Sequence, residues 1–328
     1  MIAFFQKRSP FNVVLLLLFA IVVKLPLFLH PQLPVLQAKD PLPYRELVLW
    51  IQQAGTISPA LFSFLSFLFT YSIALLLNYF FQQQKMVSKP TDLPGMSYLL
   101  LSSFFPEWSY FSSALLTSLL LVYLLFSLFR LYNQPEVRQS LFNMGFLLGA
   151  GTFLFIPTLL LGVWLLIAIL VMRPFRLKEL LLTLLGVLTP FYFFGVWLFL
   201  TDQWSVREWK LNIGIHWPVL HSAVWVAGAA FLLLLPLLIG AYSVQHNARK
   251  MLIQVRRGWA VLTFLLLITM LIPFIYEDTL GGWQLALIPL ALYHASFYYY
   301  TSFRIIPLLF FWLSFFFILA NQFSGSLG

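Results

Sequence analysis

Apolar residues in this chain gather into runs close to 20 residues long, separated by short polar stretches, from one end to the other. Eleven such segments lie at roughly 11–29, 59–81, 95–105, 108–131, 140–156, 157–172, 179–200, 219–242, 259–276, 283–300 and 305–322. As helices, runs of this length match the roughly 30 Å hydrocarbon core of a bilayer. Backbone polar groups in lipid must pair inside their own segment, which selects helix over irregular structure. The pattern predicts an all-α, polytopic transmembrane helical bundle with about 11 helices, forming one integral membrane domain over 1–328. Segment 95–105 is short for a crossing, and two neighbouring segments meet at Pro157.

One stretch breaks the rhythm. "AKDPLPYRELVLW" (38–50) sets Lys39, Asp40, Arg45 and Glu46 among prolines just after the first apolar run. Within 44–54, Leu47, Trp50, Ile51 and Ala54 fall at helical spacing on one face. Pro43 stands just before them, where its fixed φ suits a helix start. The spacing predicts a short interfacial helix whose polar edge holds Arg45 and Glu46 at the membrane surface.

Composition agrees with the pattern. The chain is 61% hydrophobic and 9% charged, so no water-soluble domain can be cut from it. The net charge of +9 is explained by orientation. With a cytoplasmic N-terminus, 14 of the 19 bases fall on the inner side, leaving Lys24, Lys39, Arg45, Arg207 and Lys210 outside. That is the asymmetry of the positive-inside rule, and it sets the C-terminus outside and argues against a nucleic-acid partner. Lys7 and Arg8 before Val13–Val23 resemble a secretory signal, but the small-residue cleavage pattern is poor, which predicts an uncleaved first helix. The absence of cysteine excludes disulfides, thiolate nucleophiles and cysteine-based metal centres.

The acids follow a different logic. Seven of the ten fall on the outer side in this topology: Asp40, Glu46, Glu107, Asp202, Glu208, Glu277 and Asp278. Acids contribute little to insertion, so their placement asks for another explanation. Asp40 can act as a general base toward an acceptor hydroxyl, ligate a divalent cation, or simply begin a solvated turn before Pro41. Glu107, in "SFFPEWSYFSS" (103–113), follows Pro106 on an outer turn, and Trp108 beside it has the look of an interfacial aromatic. Lys24, near the outer end of the first helix, can snorkel to headgroups or meet a lipid-linked phosphate. In "TDQWSVREWKLNIGIHWP" (201–218), Arg207 and Lys210 suit a phosphate and the tryptophans suit a sugar face or the interface.

Two further patterns have structural explanations. Gly145 and Gly149 form a GxxxG step that lets helices approach closely in lipid. His294 is deep in a span, where a neutral imidazole commonly bonds to a neighbouring helix. No metal site built from histidine is evident.

The order of features resembles the membrane-embedded GT-C glycosyltransferases. It runs from the acid-bearing first outer loop and the interfacial helix, through "LLNYFF" and the Pro-Glu outer turn, to a Gly-rich helix leading into "PTLLL". The resemblance covers about 10–200, with 201–328 supplying further transmembrane helices. It implies a polyprenyl-phosphate sugar donor, catalytic roles for Asp40 and Glu107, a divalent metal (Mg or Mn) at the same acids, and substrate contacts from Lys24, Arg45, Glu46, Arg207 and Lys210. The first loop is shorter than in that class, and Asp40 lacks an adjacent acid, with Glu46 an imperfect substitute. The chain also resembles an uncharacterised family of bacterial multi-pass inner-membrane proteins, through "FFQKRSPFN", "KLPLFL", "LPGMSYLL", "RPFRLKELL" and "TPFYFF". That likeness implies a bacterial inner membrane and no activity. The competing expectation is a non-enzymatic scaffold, assembly subunit or lipid-handling protein. Ion-coupled transport fits less well, because its ionisable groups belong at mid-membrane.

Overall fold

The computed structural model describes residues 2–37, 40–53, 58–202, 223–276, 280–301, 303 and 305–324. Among them the regular structure is helical, with no strand. The α-helices are α1 (Ile2–Phe5), α2 (Phe11–Val23), α3 (Leu25–Leu29), α4 (Leu42–Gln53), α5 (Pro59–Gln83), α6 (Leu93–Leu101) and α7 (Ser113–Arg130). They continue with α8 (Arg138–Thr152), α9 (Leu160–Met172), α10 (Leu177–Leu200), α11 (Ala223–Asn247), α12 (Ile253–Ile275), α13 (Leu287–Tyr300) and α14 (Ile305–Ser324). Each of the eleven apolar segments carries a helix.

Five of them, α5, α7, α10, α11 and α12, are long and apolar enough to cross a membrane by themselves. The others are shorter for identifiable reasons. Segment 11–29 divides at Lys24, because Pro26 lacks the N–H that would continue α2 and its ring crowds the preceding turn. In segment 95–105, α6 has nine residues, about 13 Å of helix.

Short length goes with burial. Every residue of α6 is buried, and so is α13 from Leu287 to Tyr298. A helix apolar on all sides belongs in the middle of a bundle. There, Gly95 of α6 lies against Asn78 and Ala74 of α5, with the Gly95 N–H donating to Asn78 Oδ1 at 2.6 Å. The outer helices show the opposite pattern. On α10, Leu185, Leu188, Tyr192 and Phe193 are all strongly exposed, a surface that suits lipid and not water.

The glycine step packs as its spacing predicts. A methyl group at Gly145 would strike the Thr183 carbonyl oxygen, one at Gly149 that of Val187, and one at Gly186 that of Phe142. Helices α8 and α10 thus run side by side with their backbones in contact. His294 Nε2 lies 2.9 Å from the Leu233 carbonyl oxygen of α11, the structural role expected of it.

Candidate functional site

Two cavities mark opposite ends of the bundle. Helix α12 gives the measure: Leu252, at its start, lines one cavity and Tyr276, at its end, lines the other. At 1.5 Å per residue they are separated by roughly 35 Å of helix, close to a bilayer's thickness. The cavity at the Tyr276 end is about 800 Å³ and is lined by Lys24, Asp40, Tyr44, Glu107, Ser109 and Tyr110, among others.

Asp40 is positioned by local chain geometry. Its Oδ2 accepts from the Gln37 N–H at 2.7 Å, while its own N–H donates to the Gln37 carbonyl at 3.1 Å. This reciprocal pair closes a turn just before α4, whose N-terminal dipole favours a carboxylate there. One helical turn on, Tyr44 is buried against Val48, Phe62 and Phe111. Burial pushes the Tyr44 hydroxyl well above the usual tyrosine value. The negative charge of Asp40 pushes the same way, and a backbone hydrogen bond from Ser113 opposes both. Tyr44 therefore sits in the cavity wall as a neutral phenol.

Glu107 is exposed, but the turn that carries it is fixed. Pro106–Trp108 forms a single 3-10 turn. Trp108 is buried, and its Nε1 donates to the Leu280 carbonyl at 2.6 Å. The interfacial role expected of this tryptophan is thus corrected: it fastens the turn to the segment preceding α13. Gln284 reinforces the junction, with Nε2 donating to the Trp108 carbonyl and Oε1 accepting from Ser112 Oγ at 2.8 Å.

Lys24 also departs from expectation. It does not snorkel outward; it is 1% exposed and donates to the Ser102 carbonyl at 2.6 Å and to Ser109 Oγ at 2.9 Å. Its break between α2 and α3 aims the amine inward at the loop that holds Glu107. Both partners are neutral, so these hydrogen bonds bring no counter-charge to the buried amine in the cavity wall.

The structure thus brings Asp40, Glu107 and Lys24 to one cavity. Arg45 and Glu46 are exposed on α4 and do not line it. Arg207 and Lys210 lie outside the described residues, as do Glu208, Glu277 and Asp278. The expected α4 forms, with Tyr44 and Val48 turned to the protein and Leu47 and Trp50 exposed. Several lining residues carried no signal in the sequence: Tyr44, Ser109, Tyr276 and Asn321. Asn321, on the last helix, donates to the Phe104 carbonyl at 2.8 Å, a contact no local pattern announces.

Among the described residues, no three His, Asp or Glu side chains gather as a metal centre. A pair of carboxylates suits only an ion that completes its shell with water and phosphate oxygens, as Mg does. Set against family models, curated proteins and solved structures, the chain matches none.

Proposed function

We propose that this chain is a GT-C-like glycosyltransferase that moves a sugar from a polyprenyl-phosphate donor to an acceptor hydroxyl at the outer face of a bacterial inner membrane. One observation carries the proposal: Asp40 and Glu107, distant in sequence, line a single cavity of about 800 Å³ with Lys24. That volume is in the usual range for ligand pockets, about 300–1,000 Å³.

In this scheme Asp40 takes the proton of the acceptor hydroxyl. The acceptor oxygen bonds to the anomeric carbon as the bond from that carbon to the donor phosphate breaks. The electron pair leaves with the polyprenyl phosphate. The Lys24 amine, in the cavity wall, would donate to the charge that gathers on the leaving phosphate, where a positioned donor is most useful. Glu107, on its anchored turn, orients the acceptor. A divalent cation held by Asp40 and Glu107 together with phosphate oxygens would neutralise donor charge. Arg45, Glu46, Arg207 and Lys210 would serve the approach of the anionic headgroup.

Eleven crossings with a cytoplasmic N-terminus and an outward C-terminus belong to the same proposal. Landmarks along the chain support them. Lys24, Ser103, Phe155, Tyr276 and Asn321, which lie at or near the C-terminal ends of α2, α6, α8, α12 and α14, line the first cavity. Lys85, Lys250 and Tyr300, which lie at or just beyond the C-terminal ends of α5, α11 and α13, line the second.

A second function is favoured by one contact. Gln37 engages the Asp40 carboxylate as a turn cap, the role such an acid has in a non-enzymatic scaffold, assembly subunit or lipid-handling protein. Purified protein incubated with a panel of polyprenyl-phosphate sugars separates the two. Transfer should consume one donor, and Asp40→Asn should slow it by about a hundredfold or more. Donor bound but never consumed by the wild type points to lipid handling.

A further inference from the structure

The second cavity, about 710 Å³ in volume, opens at the Leu252 end of α12, away from Asp40. Its wall is built from the end of α5, the loop 84–91, the end of α11 and Tyr300. Three lysines line it: Lys85, Lys89 and Lys250. Among the described residues no carboxylate does. Asp92, the nearest acid in sequence to that loop, does not line the cavity and is occupied. Its Oδ2 accepts from Asn12 at 2.7 Å and its Oδ1 from Gln82 at 2.9 Å.

The loop is held in shape. Lys85 adopts a left-handed backbone with φ of 50°. Ser88 Oγ is 2.8 Å from the Tyr299 hydroxyl, and the Lys89 N–H donates to that same hydroxyl at 3.1 Å. Thr91 Oγ1 donates to the Phe5 carbonyl. Three cations are thus carried on a braced frame around a concave space, with hydrogen-bonding partners in Ser88 and Asn247. Scattered loop lysines that only set topology need neither the cavity nor the bracing.

We propose that this cavity binds a phosphate group, presented either by an anionic lipid headgroup or by a soluble phosphate. Three like charges around one cavity favour an anion among them, and each basic residue near a lipid surface strengthens the hold on anionic lipid. The site is independent of glycosyl transfer at the opposite end and stands whether or not that activity does.

The test uses the full chain, wild type and Lys85→Gln/Lys89→Gln/Lys250→Gln, with Arg8→Gln/Arg130→Gln/Arg138→Gln as a charge-matched control. All six side chains are exposed, so both triple variants should fold, which circular dichroism checks. A third variant with arginine at the three lysine positions should keep binding. In detergent, inorganic phosphate is titrated by calorimetry. In nanodiscs, retention of phosphatidylglycerol over phosphatidylcholine is measured by mass spectrometry. The lysine triple variant should lose about tenfold or more in whichever arm the wild type binds, while the control stays near wild type. Binding in the calorimetric arm identifies a soluble phosphate, and retention confined to nanodiscs identifies a headgroup. No binding in either arm overturns the proposal, as does equal loss in the lysine and control variants.

Discussion

Lys24 donates to the Ser102 carbonyl oxygen at 2.6 Å, tying the break between α2 and α3 to the start of the loop that carries Glu107. A buried carbonyl that loses its donor costs about 1–3 kcal/mol. Ser109 Oγ also reaches the Ser102 carbonyl, at 3.3 Å, which keeps the cost near the low end. Lys24→Met should therefore lower the unfolding temperature in detergent modestly. If Lys24 also faces donor phosphate, the same variant should lose far more in donor binding than in stability.

The α8–α10 contact should be the least tolerant of added volume. Gly145→Val or Gly149→Val would force the Thr183 or Val187 carbonyl away from its present position. A loss of about 2 kcal/mol or more is expected, since overpacking alone costs about 1–3 kcal/mol. Thermal unfolding measures it, with Gly162→Ala as the control: a methyl there meets only the end of the Leu148 side chain, at 3.6 Å.

Arg173 and Glu179 form a buried two-point ion pair, Nε–Oε2 at 2.9 Å and Nη2–Oε1 at 3.1 Å. Arg173 Nη1 also donates to the Leu131 and Gln134 carbonyls, both at 2.8 Å, joining the α7–α8 connection to the α9–α10 connection. Glu179→Gln strands the buried guanidinium's charge and should cost about 3–5 kcal/mol. Arg176→Gln removes only an exposed partner 3.5 Å from the same acid and should cost under about 1 kcal/mol. Chemical denaturation of the two variants side by side gives the comparison.

Tyr44 sets a pH dependence. Its folded value is raised above the ordinary value of 10.0, first by burial and then by Asp40. The folded chain keeps a proton that the unfolded chain releases. The associated stability is complete below pH 10 and is lost as pH rises beyond it. Tyr44→Phe should flatten that alkaline loss. Asp40→Asn should bring the Tyr44 titration, followed at 295 nm against Tyr44→Phe, back toward the ordinary range. A titration unmoved by Asp40→Asn would show that the two groups are not electrostatically coupled.

Much of the fold was legible in the sequence because hydrophobic run length and proline positions act locally. All eleven apolar segments carry helices, α4 forms where its spacing placed it, and the GxxxG step packs as expected. What escaped the sequence depends on contacts between distant segments. Trp108 looked interfacial because a Trp beside a turn usually is, yet its indole is captured by Leu280. Lys24 looked able to snorkel because a lone Lys near a helix end usually does, yet the break at Pro26 turns it inward. Short α6 and α13 are buried on all sides, so their lengths report a central position that run length cannot reveal. The site was half visible: two acids could be nominated from the loops that carry them, but Tyr44 and Asn321 join them only through folding.

The central claim is that the cavity shared by Asp40 and Glu107 is a site of glycosyl transfer. The most direct measurement compares membrane glycolipids and surface glycans, by mass spectrometry, in cells lacking this chain and in cells complemented with wild type, Asp40→Asn or Glu107→Gln at equal expression. The wild type should restore a glycan that the deletion lacks, and neither single variant should. Restoration by both variants would contradict the claim.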